Sequence, residues 1–140
     1  MIIDVEAYDG PKDRASHAYR GETSRNAPMF GPAGIWYVYL CYGMHWMLNI
    51  VTGKRGYPAA ILIRGIQDKN GKKIIGPARI TQLLHIHKRW NMLPAVQGSG
   101  LWIEDRGVNI MPGFIQKSPR IGVDYAGEWA KKKYHFVYAL

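Results

Sequence analysis

Residues 35–51, IWYVYLCYGMHWMLNIV, decide the fold of this chain. The segments 35–42 and 45–51 are both dense in β-branched and aromatic residues, which are the side chains enriched in β-strands. Gly43-Met44 lies between them, and a glycine in so short a connection is typical of a tight hairpin. The stretch therefore predicts two neighbouring strands joined by a turn, with alternate side chains on opposite faces.

More strands are predicted on both sides of this hairpin. In residues 1–8 apolar and polar side chains alternate, so that Glu6 shares one face with Asp4 and Tyr8. Residues 58–66 indicate a strand that is buried on both faces except at Arg64. The intervening segment 9–32 is rich in Gly, Pro, Ser, Asn and charge, which predicts a long ordered loop with one helical turn around residues 12–17.

One helix and several short strands are predicted in the second half. Gly76-Pro77 puts a proline in a first helical turn, and apolar residues follow at helical spacing, which predicts a helix to about Trp90. Strands are predicted at residues 101–104, 108–111 and 134–140. Residues 1–140 are therefore expected to form a single α+β domain that is dominated by a sheet and has few helices.

Composition excludes several classes of protein. With 47% hydrophobic residues in 140, the chain has enough apolar material for one core. No run of about 18 apolar residues and no secretory leader is present, so a cytoplasmic, nucleoid-associated location is expected. Cys41 is the only cysteine, which argues against disulfides, thiolate metal sites and metal or redox cofactors.

The charge favours a polyanionic partner. Nineteen Lys and Arg against ten Asp and Glu give a formal net charge of +9. A membrane surface would require these charges opposite an apolar stripe on an amphipathic helix, and no such helix is evident. Nucleic acid is therefore the expected partner, and no membrane association is expected.

Glu6 is the carboxylate that the sequence marks as unusual. It lies in an otherwise apolar strand, where an ionisable group needs a partner or a task, although a residue on an open sheet face is the ordinary explanation. Tyr37 and Tyr39 share one face of the next strand. Such rings are usually core packing, but they also form a platform on which a nucleobase can stack.

Several blocks of sequence, in order along nearly the whole chain, closely resemble the alkyladenine (3-methyladenine, or methylpurine) DNA glycosylase family. They are Val5-Glu6-Ala7-Tyr8, Asp13-Arg14-Ala15-Ser16-His17, Thr23-Ser24-Arg25-Asn26, residues 34–44 leading to Asn49, Leu62-Ile63-Arg64, Gly76-Pro77-Ala78-Arg79, Arg120-Ile121-Gly122-Val123 and residues 126–130. The resemblance implies a largely antiparallel curved sheet, similar to the barrel of formyltransferase C-terminal domains. It also implies a monofunctional glycosylase that flips alkylated purines out of duplex DNA and hydrolyses their N-glycosidic bond in base excision repair.

The resemblance also implies roles for individual residues. Glu6 would be the general base that activates water, and Arg64 and the backbone carbonyl of Ile121 would help to hold that water. The flipped base would be lined by three side chains, Tyr8, His17 and Tyr39, with the backbone amide of His17 reading its edge. Asn49 would exclude normal guanine by crowding its exocyclic amine.

The DNA contacts implied by the resemblance lie mainly at the hairpin. Tyr42 would wedge into the duplex in place of the flipped base, and Thr23, Arg25 and the Gly43-Met44 backbone would lie near the strands. The expected partner is thus double-stranded DNA with damaged purines, bound by a monomer. A purine alkylated at N3 or N7 is cationic, so aromatic faces attract it and little acid catalysis is needed. Neutral lesions such as hypoxanthine or ethenoadenine would need a proton donor that the sequence does not identify.

The chain departs from the family pattern in two respects. It begins almost at the Glu-Ala-Tyr strand, so it is expected to lack an N-terminal segment and to expose a sheet edge. His45 also stands where the family often has an aromatic residue. Two alternatives stay open: a non-catalytic DNA-binding module with the same stacking surface, and an RNA-binding or ribosome-associated protein indicated only by charge and aromatic residues.

Overall fold

The fold is an α+β domain built on a seven-stranded sheet, as seen in a computed structural model that describes residues 1–139. The strands are β1 (Ile2–Asp9), β2 (Trp36–Cys41), β3 (His45–Val51), β4 (Ala59–Gln67), β5 (Lys73–Ile75), β6 (Ile115–Ser118) and β7 (His135–Tyr138). The α-helix α1 spans Pro77–Leu83, and four 3₁₀ segments lie at Ala27–Phe30, Lys88–Trp90, Pro112–Phe114 and Asp124–Lys131. The predicted fold class is confirmed.

The sheet is antiparallel and open. Its strand order is β2-β3-β4-β1-β7-β6, and β5 pairs with β4 beside this path. Every ladder in it is antiparallel, and among residues 1–139 none joins β2 to β6. The predicted hairpin is present, with Cys41 paired to His45 across its turn. The strand that carries Glu6 is therefore central, with β4 on one side and β7 on the other.

The two faces of the sheet pack in different hydrophobic clusters. Trp36, Val38 and Leu48 pack with Ile80 of α1 in the main hydrophobic cluster. The alternate residue Tyr37 belongs to a second cluster on the opposite face, which the loop after β1 covers through Met29 and its neighbours. This alternation is the period of two that the sequence predicts for β2.

The strand register places the chemically distinctive side chains in one lateral row. Tyr37 pairs with Asn49, Asn49 with Leu62 and Leu62 with Glu6. Directly opposed residues of an antiparallel pair lie on the same face, so this row crosses the sheet from β2 to β1. Four strands, of which β1 is distant in sequence from the other three, thereby contribute to one surface.

Some predicted elements are wrong in extent or place. The helix predicted to reach Trp90 ends at Leu83, because His85 adopts a left-handed φ of 51° and the buried Ile86 then turns into the core. No strand forms at residues 101–104 or 108–111, and the strand in this region is instead β6.

Two further differences concern the loop after β1 and the last strand. Hydrogen-bonded turns replace the helical turn predicted at residues 12–17. The last strand is His135–Tyr138, and Leu140, the end of the predicted strand and domain, lies outside the described residues. In residues 1–139 no helix is long and apolar enough to span a membrane.

Candidate active site

The Glu6 carboxylate is fully buried and surrounded by hydrogen-bond donors. Its relative exposure is 0%. Oε1 accepts a hydrogen bond from the backbone N–H of Ile121 at 2.8 Å, and Oε2 accepts one from the Tyr8 hydroxyl at 2.9 Å. The Nη1 atom of Arg64 lies 3.4 Å from Oε2. Glu6 is thus not a surface residue on an open sheet face, and each of its three partners is a hydrogen-bond donor or a cation.

A cavity of about 460 Å³ adjoins this carboxylate. Tyr8, Arg64 and Ile121, the three partners of Glu6, all line it, so Glu6 lies directly behind its wall. The volume is within the range of pockets that bind small organic groups. Other predicted residues that line the cavity are His17, Arg25, Tyr37, Tyr39, Tyr42 and Asn49.

Three aromatic rings form one wall of the cavity. The centroids of His17 and Tyr39 lie 4.5 Å apart at 70°, and those of Tyr37 and Tyr39 lie 5.2 Å apart at 34°. The Tyr37 hydroxyl is 3.0 Å from Nδ1 of His17. Tyr37 is almost completely buried, but it still contributes to the lining. Packing between the rings therefore holds this wall in place before anything binds.

Burial keeps these lining groups uncharged. It raises the pKa of Tyr8, Tyr37 and Tyr39 well above the usual value for a phenol, and the neighbouring Glu6 raises that of Tyr8 further. The pKa of His17 is lowered below 6.5 by burial and by the charge of Arg25. At neutral pH the wall therefore presents neutral phenols and a neutral imidazole.

Asn49 and Arg25 are fixed by backbone oxygens. The Nδ2 atom of the buried Asn49 donates to the Tyr37 carbonyl at 3.1 Å, which holds the amide in the lateral row. Arg25 donates from Nη2 to the Leu40 carbonyl at 2.9 Å, and its guanidinium lies 5.4 Å from the Tyr39 ring centroid. Both side chains reach the cavity in defined orientations.

The hairpin tip carries an exposed aromatic residue at the cavity mouth. Tyr42 is 88% exposed and has a φ of 50°, and Gly43 follows with a φ of 70°. The Met44 N–H donates to the Cys41 carbonyl at 3.2 Å, so two residues with positive φ form the hairpin turn. A tyrosine rarely adopts this backbone conformation, and such strain is common at functional sites.

Other predicted residues lie outside the cavity. Thr23 bonds Asn26 in the loop before β2, and Gly43 and Met44 continue the exposed tip beside Tyr42. The structure adds a residue that the sequence did not single out. Tyr125 is 72% exposed at the cavity wall, with its hydroxyl 3.4 Å from the Ala15 carbonyl. Only the match of the neighbouring motif could have indicated it.

One contact of Ile121 was not predicted, and the role expected for its carbonyl stays a prediction. Its backbone N–H contacts Glu6, whereas the sequence assigned a role to its carbonyl.

Within residues 1–139, no three His, Cys, Asp or Glu side chains are grouped so that they could hold a metal ion.

Comparison with known proteins finds similarity to one family over almost the whole chain. Residues 1–139 match the family model described as methylpurine-DNA glycosylase. A protein of Anaeromyxobacter dehalogenans, provisionally named 3-methyladenine DNA glycosylase, is 40% identical over 96% of this chain. An Arabidopsis thaliana protein named DNA-3-methyladenine glycosylase is 41% identical over 89% of it. The chain spans 65% and 54% of the lengths of these two relatives.

Proposed function

This chain belongs to the methylpurine-DNA glycosylase family, and from that premise we propose that it hydrolyses the N-glycosidic bond of alkylated purines in duplex DNA. The substrates are purines made cationic by alkylation, such as 3-methyladenine and 7-methylguanine. The damaged nucleotide is flipped out of the stack into the 460 Å³ cavity before its bond is broken. The protein acts as a monomer.

The observation that carries this proposal is the placement of Glu6. A carboxylate with 0% exposure, held by two neutral donors and one guanidinium, adjoins a cavity with an aromatic wall. Burying a carboxylate is expensive, and a hydrophobic residue would complete a core strand at lower cost. A carboxylate side chain kept at this position beside a cavity is therefore best explained by a chemical task.

The reaction needs only one carboxylate. Water enters between Glu6 and the sugar, donates a proton to the carboxylate and forms a bond from its oxygen to the anomeric carbon. The carbon–nitrogen bond breaks, and its electron pair leaves with the purine, which becomes neutral because it was cationic. Arg64 and the Ile121 carbonyl help to orient the water, and the negative charge of Glu6 stabilises the positive charge that develops on the sugar.

The uncharged wall suits a cationic base. Neutral phenols and a neutral imidazole add no positive charge to that of Arg25 and Arg64, which also line the cavity, and the faces of Tyr8 and Tyr39 attract a cationic base through their π-systems. The backbone amide of His17 reads the edge of the base. Asn49, which cannot rotate away from the Tyr37 carbonyl without losing its hydrogen bond, crowds the exocyclic amine of normal guanine.

The hairpin tip fills the gap that the flipped base leaves. Tyr42 is exposed, lies beside the cavity and projects from a turn that two strands anchor. Inserting an aromatic ring between base pairs compensates part of the stacking that flipping removes. Thr23, Gly43 and Met44 contact the DNA strands near it.

Release of methylated purines from alkylated duplex DNA tests the proposal. Wild-type protein should release them, and Glu6→Gln should abolish release but still bind duplex that contains an abasic site. Glu128→Gln is the matched control, because Glu128 is exposed and its one ion pair within residues 1–139 is with Lys131 at 3.6 Å. Wild-type protein that binds abasic duplex without release would favour a binding module instead. Tighter binding to RNA than to damaged DNA at matched salt would contradict the proposed substrate.

A further inference from the structure

We propose that the buried ion pair between Asp13 and Arg120 positions the Glu6 carboxylate for activating water. This inference rests on the proposed function, because it concerns the same site. Neither side chain lines the cavity, and within residues 1–139 no hydrogen bond or ion pair joins either of them to Glu6, so both act through other groups and are positioning residues rather than catalytic ones.

The pair is completely enclosed. Both side chains are 0% exposed, and the guanidinium binds the carboxylate through two nitrogens, with Nη2 2.8 Å from Oδ1 and Nη1 on Oδ2. Asp13 also accepts hydrogen bonds from the backbone N–H groups of Asp9 and Ala15, at 3.2 and 3.0 Å. The carboxylate thus organises the loop after β1 around the guanidinium.

Arg120 connects this loop to the strand of Glu6. Its Nη1 donates to the Ala7 carbonyl at 2.8 Å, and its Nη2 donates to the Trp129 carbonyl at 3.3 Å. Its guanidinium carbon lies 4.7 Å from the centroid of the Tyr8 ring. One side chain therefore holds β1, the loop after it and the segment near Trp129 in fixed relation.

Both neutral donors to Glu6 depend on this arrangement. Ile121, whose N–H binds Oε1, is the residue directly after Arg120. Tyr8, whose hydroxyl binds Oε2, has its ring against the Arg120 guanidinium. The third partner, Arg64, comes from β4 and does not contact the pair. Breaking the pair should therefore release two of the three contacts of Glu6.

A contribution to folding stability does not by itself explain why the Asp13–Arg120 pair is buried. A buried ion pair gains little over well-packed apolar residues, because desolvation offsets the attraction. Its directional hydrogen bonds, in contrast, fix orientation in a way that apolar contacts do not. A displacement of about 1 Å at a reacting group can lower a rate by about 100-fold, so precise support for Glu6 has a large effect on turnover.

The chain offers a matched control on the same strand. Asp4 is also buried and binds His135, with its Oδ1 2.7 Å from Nε2. His135 lies opposite Glu6 in the β1–β7 register, but within residues 1–139 no hydrogen bond or ion pair joins the Asp4–His135 pair to Tyr8, Arg64 or Ile121. Asp13→Asn and Asp4→Asn are the same chemical change, each in a buried pair. They differ in whether the pair supports Tyr8 and Ile121.

The experiment compares Asp13→Asn, Arg120→Met, Arg120→Lys and Asp4→Asn with wild type. We expect Asp13→Asn and Arg120→Met to slow single-turnover release by about 100-fold and to change the Kd for abasic-site duplex by less than about threefold. Arg120→Lys should recover part of the rate. Asp4→Asn should lower the Tm but keep release within about threefold of wild type. Should Arg120→Met fail to fold, Arg120→Lys and Asp13→Asn carry the test.

Amide hydrogen exchange at Ile121, followed by NMR, gives a readout that needs no activity. Its N–H should be protected in wild type and Asp4→Asn and should lose protection in Asp13→Asn. Normal release by Asp13→Asn, or equal losses in both Asn variants, would overturn the positioning role, as would unchanged protection of Ile121. If wild type releases no purine, the proposed function fails, whereas the exchange measurement still decides whether the pair positions Ile121.

Discussion

Replacement of Arg64 by methionine tests whether Glu6 depends on its counter-charge. Methionine keeps much of the apolar volume of the arginine stem but removes the guanidinium 3.4 Å from Oε2 of Glu6. The carboxylate then remains completely buried with only two neutral donors, Tyr8 and Ile121. We expect Arg64→Met to destabilise the fold more than Glu6→Gln does.

The size of this effect follows from the distance and the burial. At 3.4 Å and an effective dielectric constant of about 20, the attraction between the two charges is ~5 kcal/mol. Losing one partner of a buried pair commonly costs about 3–5 kcal/mol, and the two remaining donors favour the lower end. A loss of ~3 kcal/mol lowers the Tm of a chain of this size by about 10 °C.

Glu6→Gln should cost much less. It leaves Arg64 without a counter-charge, but the Arg64 side chain is 15% exposed and lines the cavity, where water can hydrate it. The glutamine carbonyl can still accept the Ile121 N–H. A cost of ~1 kcal/mol is expected, because the unpaired charge is not fully desolvated.

A double-mutant cycle in urea measures the difference. Unfolding free energies are determined for wild type, Arg64→Met, Glu6→Gln and the double variant, with Arg64→Lys as the control that keeps the charge. Arg64→Met should be nearly harmless in the Glu6→Gln background, which corresponds to a coupling energy of about 3 kcal/mol. Equal losses in both backgrounds would show that Glu6 does not rely on Arg64, and the reasoning would be refuted.

Two further predictions concern the cavity and its mouth. Tyr42→Ala should change the unfolding free energy by less than about 0.5 kcal/mol, because Tyr42 is 88% exposed. The same change should weaken binding to abasic-site duplex about tenfold, measured by fluorescence anisotropy. Unchanged binding would contradict the wedge role of Tyr42. Because the folded-state pKa of His17 lies below 6.5, the unfolded chain binds this proton first as the pH falls. The contribution of the neutral His17 side chain to folding stability is therefore complete above pH 6.5 and is lost as the pH falls below that value. His17→Gln should make the unfolding free energy, measured in urea, depend less steeply on pH in this range. The same slope in wild type and variant would contradict the prediction.

The local residue pattern predicted an element correctly where the tertiary surroundings of the segment favour the conformation that its own residues prefer. The hairpin at residues 36–51 combines β-branched and aromatic residues with a glycine turn, and β1 and β4 show equally clear strand patterns. These elements form as predicted because their local preference and their tertiary environment coincide. The apolar residues that face away from the cavity then pack against α1.

Prediction failed where tertiary contacts override the local pattern. The helical spacing continues past Leu83, but burial of Ile86 beneath the sheet requires a left-handed residue at His85, and the helix ends there. Residues 101–111 have suitable side chains for strands but find no partner strand, whereas residues 115–118 pair with β7. A strand is defined by its partner, which a single segment does not specify.

The sequence by itself determined the family blocks, the basic charge, the hairpin with Tyr42 at its tip and the choice of Glu6 as the unusual carboxylate. Only the tertiary structure decided that Glu6 is fully buried, that the register sets it in one row with Asn49 and Tyr37, and that Arg120 meets Asp13 from 107 residues away. The reason is physical. Residue types and short-range spacing fix local preferences, whereas burial and ion pairing depend on which distant segments the antiparallel register brings together.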